Sequence, residues 1–432
     1  MAYVPPKHQH NGKAYFIAFM AVLILSGGIF AGYQYFQTQR RENAKSFSIC
    51  GLNKEKSMEK LQYQGEVYSI SDYMYYGESL NLFAAPYQAE KQDDVKRKNI
   101  EITNLCDGDT MIYTMENGAD RQIDVSELEP GFYSLSISDN LIKKRLVYKE
   151  KLHSEPFYTI TRDNESRKIT LVADDSLSEP KLTHHALFLQ VESDLSQQDV
   201  YDVFIDPYGN RILNDIYQPS VSGNGLNEAI EMQWAAEYLK AKLEQQGLKV
   251  ELAKNDVEEA LGYYGDRGIM KKAYASQAKY YLELGMNTAD QSAYGGAEIY
   301  YSNYATKTLA NALMYALKKQ TSLTPANTYT WEDHSEGVSA AFLAKGKDGK
   351  QLYDMQPSLR ESGGRITLAG QFSDAALQNQ SFVAETHMGM QALSINFIYL
   401  SNPKDASIWK KEKELIMDTL ADAFVKAVHV SE

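Results

Sequence analysis

The sequence predicts a multidomain chain: a transmembrane helix, a β-sandwich-like all-β module, and an α/β domain whose largely parallel sheet is flanked by helices. Three observations predict it. Residues 14–39 carry no charge. Residues 63–195 consist of short alternating runs broken by turn residues. From about Asp199, apolar runs of strand length alternate with segments of helical period. At 432 residues the chain is also too long for one ordinary domain. A net charge of −13 argues against the phosphate neutralisation that nucleic-acid binding needs, so no nucleic-acid partner is expected.

The stretch 14–36, AYFIAFMAVLILSGGIFAGYQYF, reads as the membrane span. At about 1.5 Å per residue, some 20 residues cross a hydrocarbon core of about 30 Å. Tyr15, Tyr33, Tyr35 and Phe36 stand where an interfacial aromatic belt belongs. A cleaved signal peptide would have a shorter apolar region ending in a small-x-small site. This run leads into bulky aromatics instead, so an uncleaved anchor is expected, preceded by a short tail, residues 1–13. Charge alone does not orient it: Lys7 and Lys13 precede the span, and Arg40, Arg41 and Lys45 follow it. Gly28 and Gly32 form a small-xxx-small pair suited to a homodimer within the membrane.

Residues 37–62 are polar and read as a juxtamembrane stalk, helical in part. The β-rich module, 63–195, follows with runs such as GEVYSI, NIEITNL, GFYSLSI and KITLVA. Turns at Asn117-Gly118 and Pro130-Gly131 separate them, as in an antiparallel sandwich of loosely Ig-like kind. No catalytic constellation is visible there. His184 and His185 would point to opposite faces of a strand, so they read as linker. Cys50 and Cys106 lack metal-ligand spacing; a disulfide and two free thiols are both open.

In the α/β domain, 196–432, strands are expected at YDVFID (201–206), LKVELA (248–253), KYYLELGMN (279–287), GGAEIYYS (295–302) and QALSINFIYLSN (391–402). Helices are expected over 226–247, 256–278, 303–319 and 404–429. Residues 320–390 break the rhythm and read as an insertion, the kind of long connection that often carries functional surface.

Several words in this half stand out. The first strand ends Ile205-Asp206-Pro207-Tyr208-Gly209-Asn210, and Glu228 opens the first long helix. Arg267 lies in GDRGIMKKAYAS. The next long strand ends Glu283-Leu284-Gly285-Met286-Asn287. Gly296-Ala297-Glu298-Ile299-Tyr300-Tyr301 follows, and the last strand runs from Asn396 to Leu400-Ser401-Asn402-Pro403. In this order they resemble the zinc-dependent N-acetylmuramoyl-L-alanine amidases of the amidase-3 type, over residues 201–429. Those enzymes cleave the bond between glycan strand and stem peptide in peptidoglycan.

In that family the first word is Asp-Pro-Gly-His-Gly-Gly, the second strand ends Ser-Ile-His-x-Asn, and a catalytic Glu opens the last word. The scaffold words are kept here and the metal words are altered. The two His positions are Tyr208 and Gly285, the catalytic Glu position is Asn396, and Glu228 alone matches a ligand. A catalytic zinc site needs about three protein ligands and an open position. Glycine has no donor, a phenol of pKa near 10 is a poor one, and an amide is not a general base.

The resemblance therefore implies a pseudoamidase: no catalytic residue, no cofactor, and a former metal cleft ringed by Glu228, Tyr208, Asn287, Asn396 and Arg267 as ligand-binding residues. Asp206 is read as bracing the loop after its strand. The implied protein sits in the cell membrane with its C-terminal domains outside the cell. There it binds peptidoglycan or a cell-wall enzyme as regulator or scaffold, the tether raising its effective concentration. Two alternatives stand beside this: an active amidase whose zinc is held by Glu228 with His334 or His387, and a purely structural envelope protein.

Overall fold

Alternation of apolar and polar residues builds the first half of the chain. The computed structural model describes residues 48–429 apart from 71–72, 83–96, 116–122, 140–141, 149–155, 163–164, 174–185, 195–199, 303–304, 327–333, 342, 346–351, 355 and 360–387. The main sheet of this half has eight strands. Its hub is Gly131–Asp139, which pairs antiparallel with Asn99–Asn104, Ile142–Tyr148 and Leu187–Asp194. One departure from the antiparallel expectation is Val67–Ile70, which joins Ile142–Tyr148 in parallel. Along Asn99–Asn104 every second residue is buried, so Ile100 and Ile102 enter a core shared with Ile70, Leu80 and Leu171. A second sheet of four strands contributes Tyr75 and Leu80 to that core.

The stalk expectation is corrected over 48–62. Ile49 and Leu61 pack with Phe132, Val147 and Phe188, because these two apolar residues are buried rather than solvated. Helix Lys54–Leu61 is capped by Asn53, whose side chain accepts from the Lys56 N–H. Cys50 and Cys106 form a disulfide, which ties this segment to the sheet.

The second half is a seven-stranded sheet. Its elements are β1 (Val203–Pro207), α1 (Glu228–Gln245), β2 (Val250–Leu252), α2 (Ile269–Ala275), β3 (Tyr280–Asn287), β4 (Glu298–Tyr301), α3 (Thr308–Gln320), β5 (His334–Ser335), β6 (Val338–Ala340), β7 (Gln391–Tyr399) and α4 (Pro403–His429). Spatial order is β2-β1-β3-β7-β4-β6-β5. Neighbours are parallel except β7 with β4 and β6 with β5. One face buries Leu282, Leu284, Ile395 and Phe397 with α1, α3 and α4. The other buries Phe204, Tyr281 and Ala392 with α2. The helix expected over 256–278 is only α2, because Gly262, Gly265 and Gly268 interrupt the preceding residues.

The halves meet at a seam. Met388–Gly389, from the second half, pairs with Met74–Tyr76 in the small sheet. Buried Glu78 accepts from the Ile160 N–H at 2.8 Å, from Arg162 at 2.6 Å and from the Tyr280 hydroxyl at 3.4 Å. Arg162 also donates to the Val428 carbonyl in α4. Among the described residues no helix is long and apolar enough to cross a membrane. The expected span 14–36, with Gly28 and Gly32, lies outside the described residues, as do His184, His185 and His387.

Candidate functional site

Two-residue alternation puts Asp206 and Tyr208, Glu283 and Gly285, and Ser394 and Asn396 on one face of the sheet. Register sets them side by side: Asp206 opposite Glu283, Glu283 opposite Ser394, and Gly285 opposite Asn396. These are the carboxyl ends of parallel strands, where open α/β sheets place their ligand crevices. A cleft of about 450 Å³ opens there, lined by Tyr208, Glu228, Glu283, Asn287, Asn396 and Tyr263 among others. Four of the five expected residues thus share one cavity.

Glu228 reaches the cleft from the first turn of α1, whose N-cap Asn227 accepts from the Ile230 N–H at 3.2 Å. Gly209 permits this approach. Its φ is +142°, and a Cβ there would stand 2.7 Å from the Cα of Ala229. The Met286 N–H donates to Glu228 Oε1 at 2.9 Å, and Oε2 has no hydrogen-bond partner among the described residues. A helix N-terminus favours a carboxylate by about 0.3–1 kcal/mol. Burial outweighs that here: Glu228 is 3% exposed, and desolvation pushes its pKa up to about 7.

Glu283 is saturated. Its Oε1 accepts from Gln356 and Ser394 at 2.8 and 2.9 Å, and its Oε2 from the Tyr263 hydroxyl at 2.9 Å. Burial and then the nearby Asp206 raise its pKa, while Arg211 and the hydroxyl donors oppose the rise. Asp206 accepts from Arg211 at 2.7 Å and from the Tyr281 hydroxyl at 2.6 Å, so it braces the loop after β1. The Arg211 guanidinium lies 4.8 and 5.6 Å from the ring centroids of Tyr208 and Tyr263. Tyr208 and Tyr263 line the cleft, and Arg211 does not. Burial and Glu283 push the Tyr208 hydroxyl up to about 12.

Arg267 is the misplaced expectation. It is exposed in the turn before α2 and does not line the cleft. The cation behind the site is Arg211, five residues after Asp206, which sequence reading passed over along with Glu283 and Tyr263. Asn287 does line the cleft, yet its amide donates to Glu298 at 2.7 Å, and Glu298 also accepts from the Tyr300 and Tyr399 hydroxyls at 2.9 and 2.7 Å.

The donors present do not fit zinc. A Cβ on Gly285 would stand 2.8 Å from Asn396 Oδ1 and 3.7 Å from Tyr208 Cβ, so the Asn396 amide occupies the space a histidine there would need. Among the described residues no group of three or more His, Cys, Asp or Glu is arranged to hold a metal. The His334 backbone pairs with Ser339, which neighbours Tyr300, which neighbours Ser394. At about 4.8 Å per strand it lies about 14 Å across the sheet from β7.

Residues 218–429 match the family model Amidase_3, N-acetylmuramoyl-L-alanine amidase. No curated protein matches the chain. Solved structures similar to it include the catalytic domain of CwlV from Bacillus (Paenibacillus) polymyxa var. colistinus, at 17% identity, TM-score 0.34, covering 53% of this chain and 96% of that one. AmiC2 of Nostoc punctiforme is 15% identical, with TM-score 0.33 and coverage of 54% and 97%. The CwlD amidase from Clostridioides difficile, solved in complex with the GerS lipoprotein, is 14% identical, with TM-score 0.33 and coverage of 53% and 96%. The strand-end words stand in family order, and residues 218–429, which run to the end of α4, match the amidase-3 type of N-acetylmuramoyl-L-alanine amidase.

Proposed function

We propose that this is a membrane-anchored, extracytoplasmic cell-wall protein whose amidase domain binds peptidoglycan or a wall enzyme without cleaving amide bonds. One observation carries the reading: the Asn396 side chain stands against Gly285, beside Tyr208, where the family's two imidazoles and its carboxylate base belong. An amide takes no proton from water near neutral pH, and a glycine holds no ion. The cleft of about 450 Å³ leaves room for a ligand without that chemistry, which supports a binding role. The uncharged span 14–36 supports the anchor, and the Cys50–Cys106 disulfide supports an oxidising, extracytoplasmic setting.

Sedimentation with purified peptidoglycan tests this. The chain should co-sediment with the wall and release no new peptide amino termini. Release of amino termini that stops on chelation would overturn the non-hydrolytic reading.

A further inference from the structure

The cleft's chemistry is lopsided. Among the described residues, no lysine, arginine or histidine lines it. The Arg211 guanidinium is taken by Asp206 and lies over the rings of Tyr208 and Tyr263. Glu283 spends both oxygens on three donors, so it contributes field but no open valence. What remains is Glu228: a side chain 3% exposed, in the cavity wall, with Oε2 unpartnered. Oε2 has no protein donor among the described residues, and a ligand that supplies one gains a charge-assisted hydrogen bond there.

We propose that the cleft takes a primary ammonium group of its ligand, which donates to Glu228 Oε2 and is flanked by the Tyr208 ring. This deepens the wall-binding reading and rests on it. An anionic group would meet Glu228 and Glu283 with no cation among the described lining residues to pair. A hard divalent ion wants about six or more oxygens, and among the described lining residues one carboxylate oxygen is without a donor. An ammonium needs fewer acceptors, gains from the electron-rich tyrosine faces, and forms the stronger, charge-assisted class of hydrogen bond. In a cell wall two sources present such a group: the side-chain amine of a diamino acid in a stem peptide, and the amine of a de-N-acetylated amino sugar.

Calorimetric titration of the full chain in detergent distinguishes them. One arm compares the tripeptide Ala-Glu-Lys with its Nε-acetyl-lysine form. The other compares a glucosamine tetramer with its N-acetylated form. Acetylation should weaken binding roughly tenfold in one arm, and that arm names the source. Glu228→Gln, which keeps the acceptor for Met286 N–H, should erase the difference while leaving the thermal midpoint near its original value. If that variant fails to fold, Tyr208→Leu, which removes the flanking ring, serves instead, with the preference for the free amine reduced roughly threefold. Equal binding of free and acetylated forms, no binding of either amine, or a preference surviving Glu228→Gln would overturn the proposal. Loss of amine preference with wall co-sedimentation intact sinks only this inference; loss of co-sedimentation sinks the reading beneath it.

Discussion

Glu78 at the seam and Glu228 in the cleft are both buried carboxyls pushed up to about 7, chiefly by desolvation. Their surroundings differ. Glu78 has a guanidinium at 2.6 Å, a backbone N–H and a phenol, so both oxygens are occupied. Glu228 has one backbone N–H and one open oxygen facing a cavity. A raised pKa alone therefore does not mark a site; an unsatisfied valence in a concave wall does. The seam group joins two halves of a fold, and the cleft group leaves one oxygen without a donor among the described residues.

Substitutions can break that contrast. The largest effect is expected beside the cleft, at its brace. Asp206→Ala removes the carboxylate paired with Arg211, which is 1% exposed. It should cost roughly 3–5 kcal/mol of unfolding free energy, read from denaturant melts. Glu78→Ala strips Arg162 of its carboxylate and should cost roughly 3 kcal/mol. Glu228→Gln should change stability by less than about 1 kcal/mol at pH 8, because it removes a group that burial disfavours when charged. Equal losses at 78 and 228 would dissolve the distinction.

Acidity gives a second handle. Both carboxyls bind protons more tightly folded, near 7, than at their ordinary 4.5. The stability they contribute is complete below about 4.5 and is lost as pH rises through about 7. Unfolding free energy should therefore rise on going from pH 8 to 5.5, by on the order of 2 kcal/mol per group. Glu228→Gln should remove one group's share of that slope. A pH-independent melt would contradict the burial account. The smallest effect concerns geometry: Gly285→His must displace the Asn396 amide, and should cost about 1–2 kcal/mol while gaining no bound zinc.

Much of the cleft was legible in the sequence. Tyr208, Gly285 and Asn396 sit at strand ends flanked by words whose order is distinctive, and the period of two places them on one face. Glu228 was legible as the opening residue of a helix. Arg211, Glu283 and Tyr263 were not, because their roles arise from register between β1 and β3 and from the approach of the loop before α2. Arg267 misled because proximity in sequence to a family word says nothing about which side of a glycine-rich turn faces the sheet. Pairing of Met388–Gly389 with Tyr75 was equally invisible, since a strand of two residues carries no period. Ile49 and Leu61, lone apolar residues in a charged stretch, were the one overlooked hint that residues 48–62 pack on the sheet.

Quantifying zinc in the purified full chain tests the central claim most directly. A cleft holding Tyr208, Gly285 and Asn396 in place of imidazoles and a carboxylate should retain well under one zinc per chain after brief dialysis. One tightly held zinc per chain, removed by chelator together with wall-cleaving activity, would contradict it.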